Sequence, residues 1–344
     1  MDPADDNLTS PNTTGYPDYH NWSSEDYFQT RFQAEILKKM SFTLYSIIFI
    51  LGIIGNGLVI WIAGFRMKKT ISAVWFLHLA IADFLCCASL PLRVAMWIHL
   101  YRYSQFSGIL CTVNIILFCI NMSASVLLLT AMSIDRWVSV MWPFWAKVHR
   151  TQKLVRITAG IIWLLSLLWT GLVYYLCVSR VLSVNEWCLL FGSQYLHFQE
   201  ITQIIHLMRL FILFVIPFLI IVTCYVTIAC KLRRSNRPQR SQRPYRIITA
   251  VILCFFICWA PYYMWPIISM YDEETFYFYI VYVTVVILAC FNSCINPIIY
   301  VFMGQYFRHG FLRSIPFRLE KALSEHPDPY EKQEDYEPSP TTDV

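Results

Sequence analysis

The chain has 344 residues, 57% of them hydrophobic and only 14% charged, with a formal net charge of +5. That balance excludes a water-soluble protein of this length and, despite the basic excess, a nucleic-acid binder. What remains is an integral membrane protein whose apolar mass forms a single domain.

The first element, residues 1–40, is polar and carries Asp2, Asp5, Asp6, Asp18, Glu25, Asp26 and Glu35. Residues 1–30 lack the apolar core of a cleavable signal peptide, so the first span is expected to act as its own anchor. Asn7, Asn12 and Asn21 each open an Asn-x-Ser/Thr triplet, the acceptor for glycosylation. Tyr16, Tyr19 and Tyr27 stand beside acids, as in a disordered arm that attracts a basic protein and orders on it.

Seven apolar stretches follow, at 41–63, 73–97, 111–133, 155–176, 204–229, 247–270 and 279–302. Each reaches the roughly 20 residues a helix needs to cross the hydrocarbon core. The expected fold is an all-α membrane protein over residues 41–303, a seven-helix bundle. Residues 304–344 add a short amphipathic cytoplasmic helix, at 305–317, and an acidic tail. Basic residues fall on alternate connections: Arg66, Lys68 and Lys69; Lys147, Arg150, Lys153 and Arg156; then Lys231 through Arg246. The positive-inside rule puts these loops in the cytoplasm and the N-terminus outside.

Twelve cysteines resemble a disulfide framework until they are placed on the spans. Ten lie inside or at the ends of spans, where a thiol behaves as a small hydrophobe. Cys111 and Cys188 alone fall on the oxidising side, and that pair is expected to be bridged. No zinc-type ligand spacing and no catalytic constellation occurs, so an enzyme is not expected.

Polar residues inside spans are costly and need a partner or a role. Asp83 lies midway along the second span, and Asn56, Asn121, Ser125, Asn292, Ser293 and Asn296 occur at comparable depths. Two readings stand at this point: a site for a small cation such as sodium, or a hydrogen-bonded core that joins helices. Pro91, Pro217, Pro261 and Pro297 interrupt four different spans. Such kinks suit a bundle with two packings. Asp135-Arg136 ends the third span, where the acid can hold the arginine or release it.

These signals join in order. Gly55-Asn56, Leu79 through Asp83, Asp135-Arg136, Trp163, Phe255 through Tyr262 and Asn296-Pro297-Ile298-Ile299-Tyr300 come one per span. The set resembles the rhodopsin-like (class A) G-protein-coupled receptors over about 270 residues. Transporters and channels fit less well, for no internal repeat marks a transport site. Longer strings narrow the likeness. Gly55 through Met67 and Phe291 through Gln305 resemble formyl-peptide receptors, Trp75 through Pro91 the complement anaphylatoxin receptors, and Cys224 through Leu232 the chemerin receptor.

The resemblance implies a plasma-membrane chemoattractant receptor that couples to inhibitory heterotrimeric G proteins. It implies an allosteric sodium ion, the one cofactor expected, among Asp83, Asn121, Ser125, Asn292, Ser293 and Asn296. It makes Phe255, Trp259 and Pro261 the switch beneath the ligand, with Asp135, Arg136, Tyr225 and Tyr300 rearranging at the cytoplasmic side. It also implies sulfation of the N-terminal tyrosines.

Amine and retinal ligands are excluded, because residues 114–122 carry no carboxylate and the seventh span no lysine. Chemokine receptors usually carry a second outer bridge from an N-terminal cysteine, and residues 1–40 contain none. The candidate ligand-binding residues are Arg209, Arg93, His206, Cys119, Trp259 and Tyr282. Arginine at position 209 resembles the group that holds a peptide carboxylate in chemoattractant receptors, a task its planar fork suits. Formyl-peptide receptors add a second arginine and an aspartate; the corresponding residues here are Ile205 and Cys119, which argues against formyl-methionine. Trp137 follows Arg136 where tyrosine or cysteine is usual.

The expected agonist is a peptide or small protein whose C-terminal carboxylate meets Arg209. The runner-up readings are a receptor for a lipid acid and a non-signalling scavenger. Ser324, Ser339, Thr341 and Thr342 offer phosphorylation sites to receptor kinases and hence a surface for arrestin. Thr342-Asp343-Val344 fits a PDZ domain.

Overall fold

The computed structural model describes residues 24–66, 70–99, 105–180, 200–234, 243–268 and 276–303. Nine α-helices occupy these residues: α1 (Ser24–Trp61), α2 (Ile71–His99), α3 (Gln105–Met141), α4 (Pro143–His149), α5 (Gln152–Arg180), α6 (Glu200–Leu210), α7 (Ile216–Arg234), α8 (Arg243–Ile268) and α9 (Phe276–Met303). A π-helical turn at Ile62–Arg66 ends α1, and another at Phe211–Val215 joins α6 to α7. Seven helical segments are long and apolar enough to cross a membrane, Arg31–Arg66 the first and Ile280–Ile299 the last.

Packing follows from burial. The span in α3 is 72% buried, against 28% for the spans in α5 and in α6–α7, so α3 is the central helix. It packs against α2, α5 and α7, while α1 lies between α2 and α9, and α8 closes on α9. Ile157, Ile161, Leu164, Leu165 and Leu168 on α5 are half or more exposed. An apolar face of that extent belongs against lipid. Hydroxyls within α3 bond to carbonyls of the preceding turn, Thr130 to Val126 and Ser133 to Leu129, both at 2.7 Å, which hides them from hydrocarbon.

Close helix contacts come from small residues. A Cβ on Gly52 would lie 2.1 Å from the Cys87 sulfur, and one on Gly55 would lie 2.9 Å from Pro297. The first contact brings α1 onto α2, the second brings it onto α9.

Two proline kinks are completed by side chains from other helices. Pro217 cannot donate to the carbonyl of Leu213, and the Tyr263 hydroxyl on α8 donates to that oxygen at 3.4 Å. Pro297 likewise frees the Ser293 carbonyl, which accepts from Asn56 Nδ2 at 2.7 Å. Pro91 and Pro261 lie inside α2 and α8 as expected, and Pro266 is a further proline within α8.

Three expectations are corrected. Residues 24–40, read as part of a disordered arm, continue α1. That stretch is rich in good helix formers, and a polar extension leaves no trace in hydropathy. The third helix does not stop near Ser133 but runs to Met141. The third connection contains α4, whose start is signalled by Pro143 in its first turn. Asn7, Asn12, Asn21, Cys188 and the expected helix at 305–317 lie outside the described residues.

Candidate ligand and transduction site

Two arginines inside the bundle, Arg209 buried and Arg93 partly buried, define the end at which α2 finishes and α6 begins. Arg209 on α6 is 5% exposed, and its Nη1 donates to the Tyr262 hydroxyl at 3.3 Å. Its guanidinium lies over the rings of Tyr262, at 4.9 Å, and Tyr263, at 5.8 Å. Arg93 on α2 lies over Phe118, at 5.3 Å, and Tyr45, at 6.0 Å. Each arginine has a buried Nε without a hydrogen bond, and among the described residues neither meets a carboxylate. A desolvated cation–π contact contributes about 2 kcal/mol, which orients these charges without neutralising them.

The two arginines share an aromatic bridge. Phe118 and Tyr262 meet edge to face with centroids 5.3 Å apart, so the sequence Arg93–Phe118–Tyr262–Arg209 is continuous. Both rings also touch Trp259, at 5.2 and 5.7 Å. Trp259 is fully buried and continues to Phe255 at 5.9 Å. A disturbance of either arginine therefore reaches Trp259 through one ring.

Of the other expected ligand residues, Cys119 and Tyr282 lie within electrostatic range of both arginines and His206 within range of Arg209. Both ring nitrogens of His206, one turn before Arg209, are buried without a hydrogen bond among the described residues. Tyr282 packs against the main core. Cys119 sits instead in a separate apolar cluster with Cys111, Ile115, Val173 and Ile205. Cys111 is disulfide-bonded, and its partner lies outside the described residues. A side cavity of about 370 Å³ opens between α1 and α2, lined by Glu35, Lys38, Lys39, Tyr45 and Val94.

Below Trp259 the polar residues converge. Asp83 is fully buried; its Oδ1 accepts from Asn121 Nδ2 at 3.1 Å and its Oδ2 from Asn296 Nδ2 at 2.8 Å. Ser293 Oγ donates to Asn121 Oδ1 and Asn121 Nδ2 to Ser125 Oγ, both at 3.4 Å. Asn292, next to Ser293 in α9, is buried, yet among the described residues neither its oxygen nor its nitrogen is hydrogen-bonded, and Asn296 Oδ1 is also unpartnered. A carboxylate next to unoccupied amide oxygens is a donor set that a hard cation accepts. The residues thus fit sodium.

At the far end the expected switch has a different partner. Asp135 does not hold its neighbour; it receives Arg150, Nε to Oδ1 and Nη2 to Oδ2, both at 2.8 Å. Adjacent helical residues point about 100° apart, whereas the chain after α4 returns Arg150 to the Asp135 face. Arg136 is 7% exposed and buried within the bundle. Trp137 turns toward α7, where its Nε1 donates to Thr227 Oγ1 at 2.8 Å, and Lys231 Nζ caps the Met141 carbonyl at 2.9 Å. Tyr225 packs against the main core, and the Tyr300 side chain lies outside the described residues.

Phe118, Tyr262, Tyr263 and Tyr45 were not legible as site residues. An aromatic residue in an apolar span reads the same whether it faces lipid, core or ligand.

Comparison with known proteins agrees with this geometry. The family model of the 7 transmembrane receptor (rhodopsin family) matches residues 55–300. Formyl peptide receptor 2 of Mus musculus is 36% identical over 308 residues, covering 85% of this chain and 87% of the relative. The C3a anaphylatoxin chemotactic receptor of Danio rerio is 35% identical, covering 88% and 83%, and Chemerin-like receptor 1 of Sus scrofa is 37% identical, covering 85% and 84%. The chain belongs to the rhodopsin family of seven-transmembrane receptors. Within it the chain falls among the chemoattractant receptors; it is a multi-pass membrane receptor and not an enzyme.

Proposed function

We propose that this receptor binds a peptide or small protein through its terminal carboxylate and signals through an inhibitory heterotrimeric G protein. The observation that carries the reading is the pair of arginines inside the bundle, Arg93 and Arg209, which meet no carboxylate among the described residues and share an aromatic bridge to Trp259. A charge withdrawn from water without a counter-charge is unfavourable, and a ligand carboxylate would supply one. The arginine end faces outward on this reading, because the basic connections lie at the opposite end.

A carboxylate that takes either guanidinium withdraws it from Phe118 or Tyr262. Those rings hold Trp259, so the ligand favours a different packing around it. The agonist shifts the two states only by its differential affinity for them. In the signalling state the inner ends of α7 and α8 move off α3, which requires the Trp137–Thr227 bond to break. Sodium held by Asp83, Asn121, Ser125, Asn292, Ser293 and Asn296 would supply a counter-charge that favours the resting packing. Kinases and arrestin act on the C-terminal tail.

Formyl-methionine is disfavoured as the natural ligand. Cys119 and Ile205, which stand where formyl-peptide receptors carry charges, pack together here in an apolar cluster. The test is a calcium and cAMP screen of cells expressing the receptor against C3a, chemerin, formyl peptides and lipid acids. The expected active ligand is a peptide or protein that loses potency as its C-terminal carboxamide. Full potency of the carboxamide would overturn the carboxylate reading. A response to a lipid acid alone, unchanged on deletion of residues 1–30, would replace the peptide by a lipid. Ligand uptake without a G-protein response would indicate a scavenger.

A further inference from the structure

The position of Arg93 depends on one residue of the neighbouring helix. Asn114 on α3 is 1% exposed, and its Nδ2 donates to both the Ser89 carbonyl, at 2.9 Å, and the Ser89 hydroxyl, at 3.1 Å. Ser89 Oγ in turn donates to the Cys86 carbonyl at 2.7 Å. This rung crosses from α3 to α2 two residues before Pro91, where α2 is weakest, and Arg93 follows two residues after that proline. The rung therefore anchors the kinked turn from which Arg93 projects.

The geometry of the arginine needs that anchor. Only residues 100–104 join α2 to α3, so these packed helices run antiparallel. Arg93, one turn beyond Ser89 on α2, and Phe118, one turn beyond Asn114 on α3, therefore lie on opposite sides of the rung. Even so, the Arg93 guanidinium reaches within 5.3 Å of the Phe118 centroid. Its side chain must run back toward the start of α2, the direction a helical Cα–Cβ bond takes, across the level of the rung. The Asn114 oxygen is buried with no hydrogen bond among the described residues.

We propose that Asn114 is a positioning residue for Arg93: it fixes the Pro91 turn of α2 so that the guanidinium folds across the rung onto Phe118. The inference deepens the carboxylate reading above, since the arginine so placed is one of the two that would meet the ligand. Asn114 itself touches no ligand in this scheme. Its loss leaves Arg93 present and charged but no longer over the ring that leads to Trp259.

The test is nuclear magnetic resonance of receptor labelled with ¹⁵N-arginine in lipid nanodiscs, with no agonist added. The Nε–H signal of Arg93, assigned by its disappearance in Arg93→Lys, should be displaced by the ring current of Phe118. Asn114→Leu keeps the size of the side chain and suits an apolar span; it should move the Arg93 signal toward that of a solvated arginine. The Arg209 signal should stay in place. Ser89→Ala should leave Arg93 nearly unmoved, because the stronger acceptor, the main-chain carbonyl, is retained. An Arg93 signal unchanged in Asn114→Leu would overturn the proposal, as would equal movement of the Arg93 and Arg209 signals, which would mean general loosening. Asn114→Ala provides the same comparison should the leucine variant not assemble. Because no ligand enters the measurement, its outcome is separate from whether the agonist is a carboxylate.

Discussion

Two charge sites inside this bundle lie one below the other and are handled in opposite ways. Asp83 is enclosed by donors on α3 and α9, and both of its oxygens accept hydrogen bonds. Arg93 and Arg209 are held by ring faces and one phenol, with no acid among the described residues. A charge whose partners are built in belongs to the resting structure. One held only by aromatic faces is oriented for a partner that arrives from outside. Trp259 separates the two and touches the aromatic bridge of the upper site.

The largest effect that would break this contrast is at Arg209. Arg209→Ala should lower agonist potency about 100-fold, the range for removing one partner of a buried charge pair. Arg209→Lys should recover part of that loss, because a point charge lacks the bidentate fork. Concentration–response curves for calcium release would reveal it, and unchanged potency would sink the assignment.

Asp83 should behave as structure. Asp83→Ala leaves the amides of Asn121 and Asn296 without their acceptor, at a cost of about 3 kcal/mol in total. Thermal unfolding of purified receptor should show this as a clear drop in midpoint. Asp83→Asn should fall much less, while abolishing any dependence of agonist affinity on sodium concentration. A sodium dependence that survives Asp83→Asn would remove the cation from this site.

Gly52 tests the packing that brings α1 beside the polar cluster. Gly52→Ala places a Cβ against the Cys87 sulfur and should destabilise by about 2 kcal/mol. Adding Cys87→Ala should restore much of that in the same unfolding assay, because the clash is with a side chain. No recovery in the double variant would mean that the backbone contacts set the cost.

The smallest expected change is at Tyr263, which joins the upper site to the α7 kink. Tyr263→Phe removes the donor to the Leu213 carbonyl and should cost about 1 kcal/mol. Its signature is faster hydrogen exchange confined to α6 and α7; uniform exchange across the bundle would contradict a local tie.

Much of the fold was readable because its signals are local. Seven apolar runs of the right length, four prolines and one aspartate at mid-span are visible without any knowledge of neighbours. The residues around Asp83 were also identified, since polar groups at equal depth in several spans stand out against an apolar background. Their pairing was not. Asn56 finds its acceptor 237 residues away at the Ser293 carbonyl. Asp135 binds Arg150 rather than the adjacent Arg136. Phe118 and Tyr262 were not legible as site residues, although they join the two arginines to Trp259.

By itself the amino-acid sequence determined a helical bundle with seven crossings and the depth of each polar residue. The reason is that a segment in hydrocarbon must satisfy its own backbone, and only a helix of sufficient length does so. Tertiary structure alone decided which side chains meet. That depends on how each helix is rotated about its axis and how closely glycines such as Gly52 let it approach, and a sequence does not state either quantity. The arginines could be picked out one by one; their shared aromatic bridge exists only in the packed bundle.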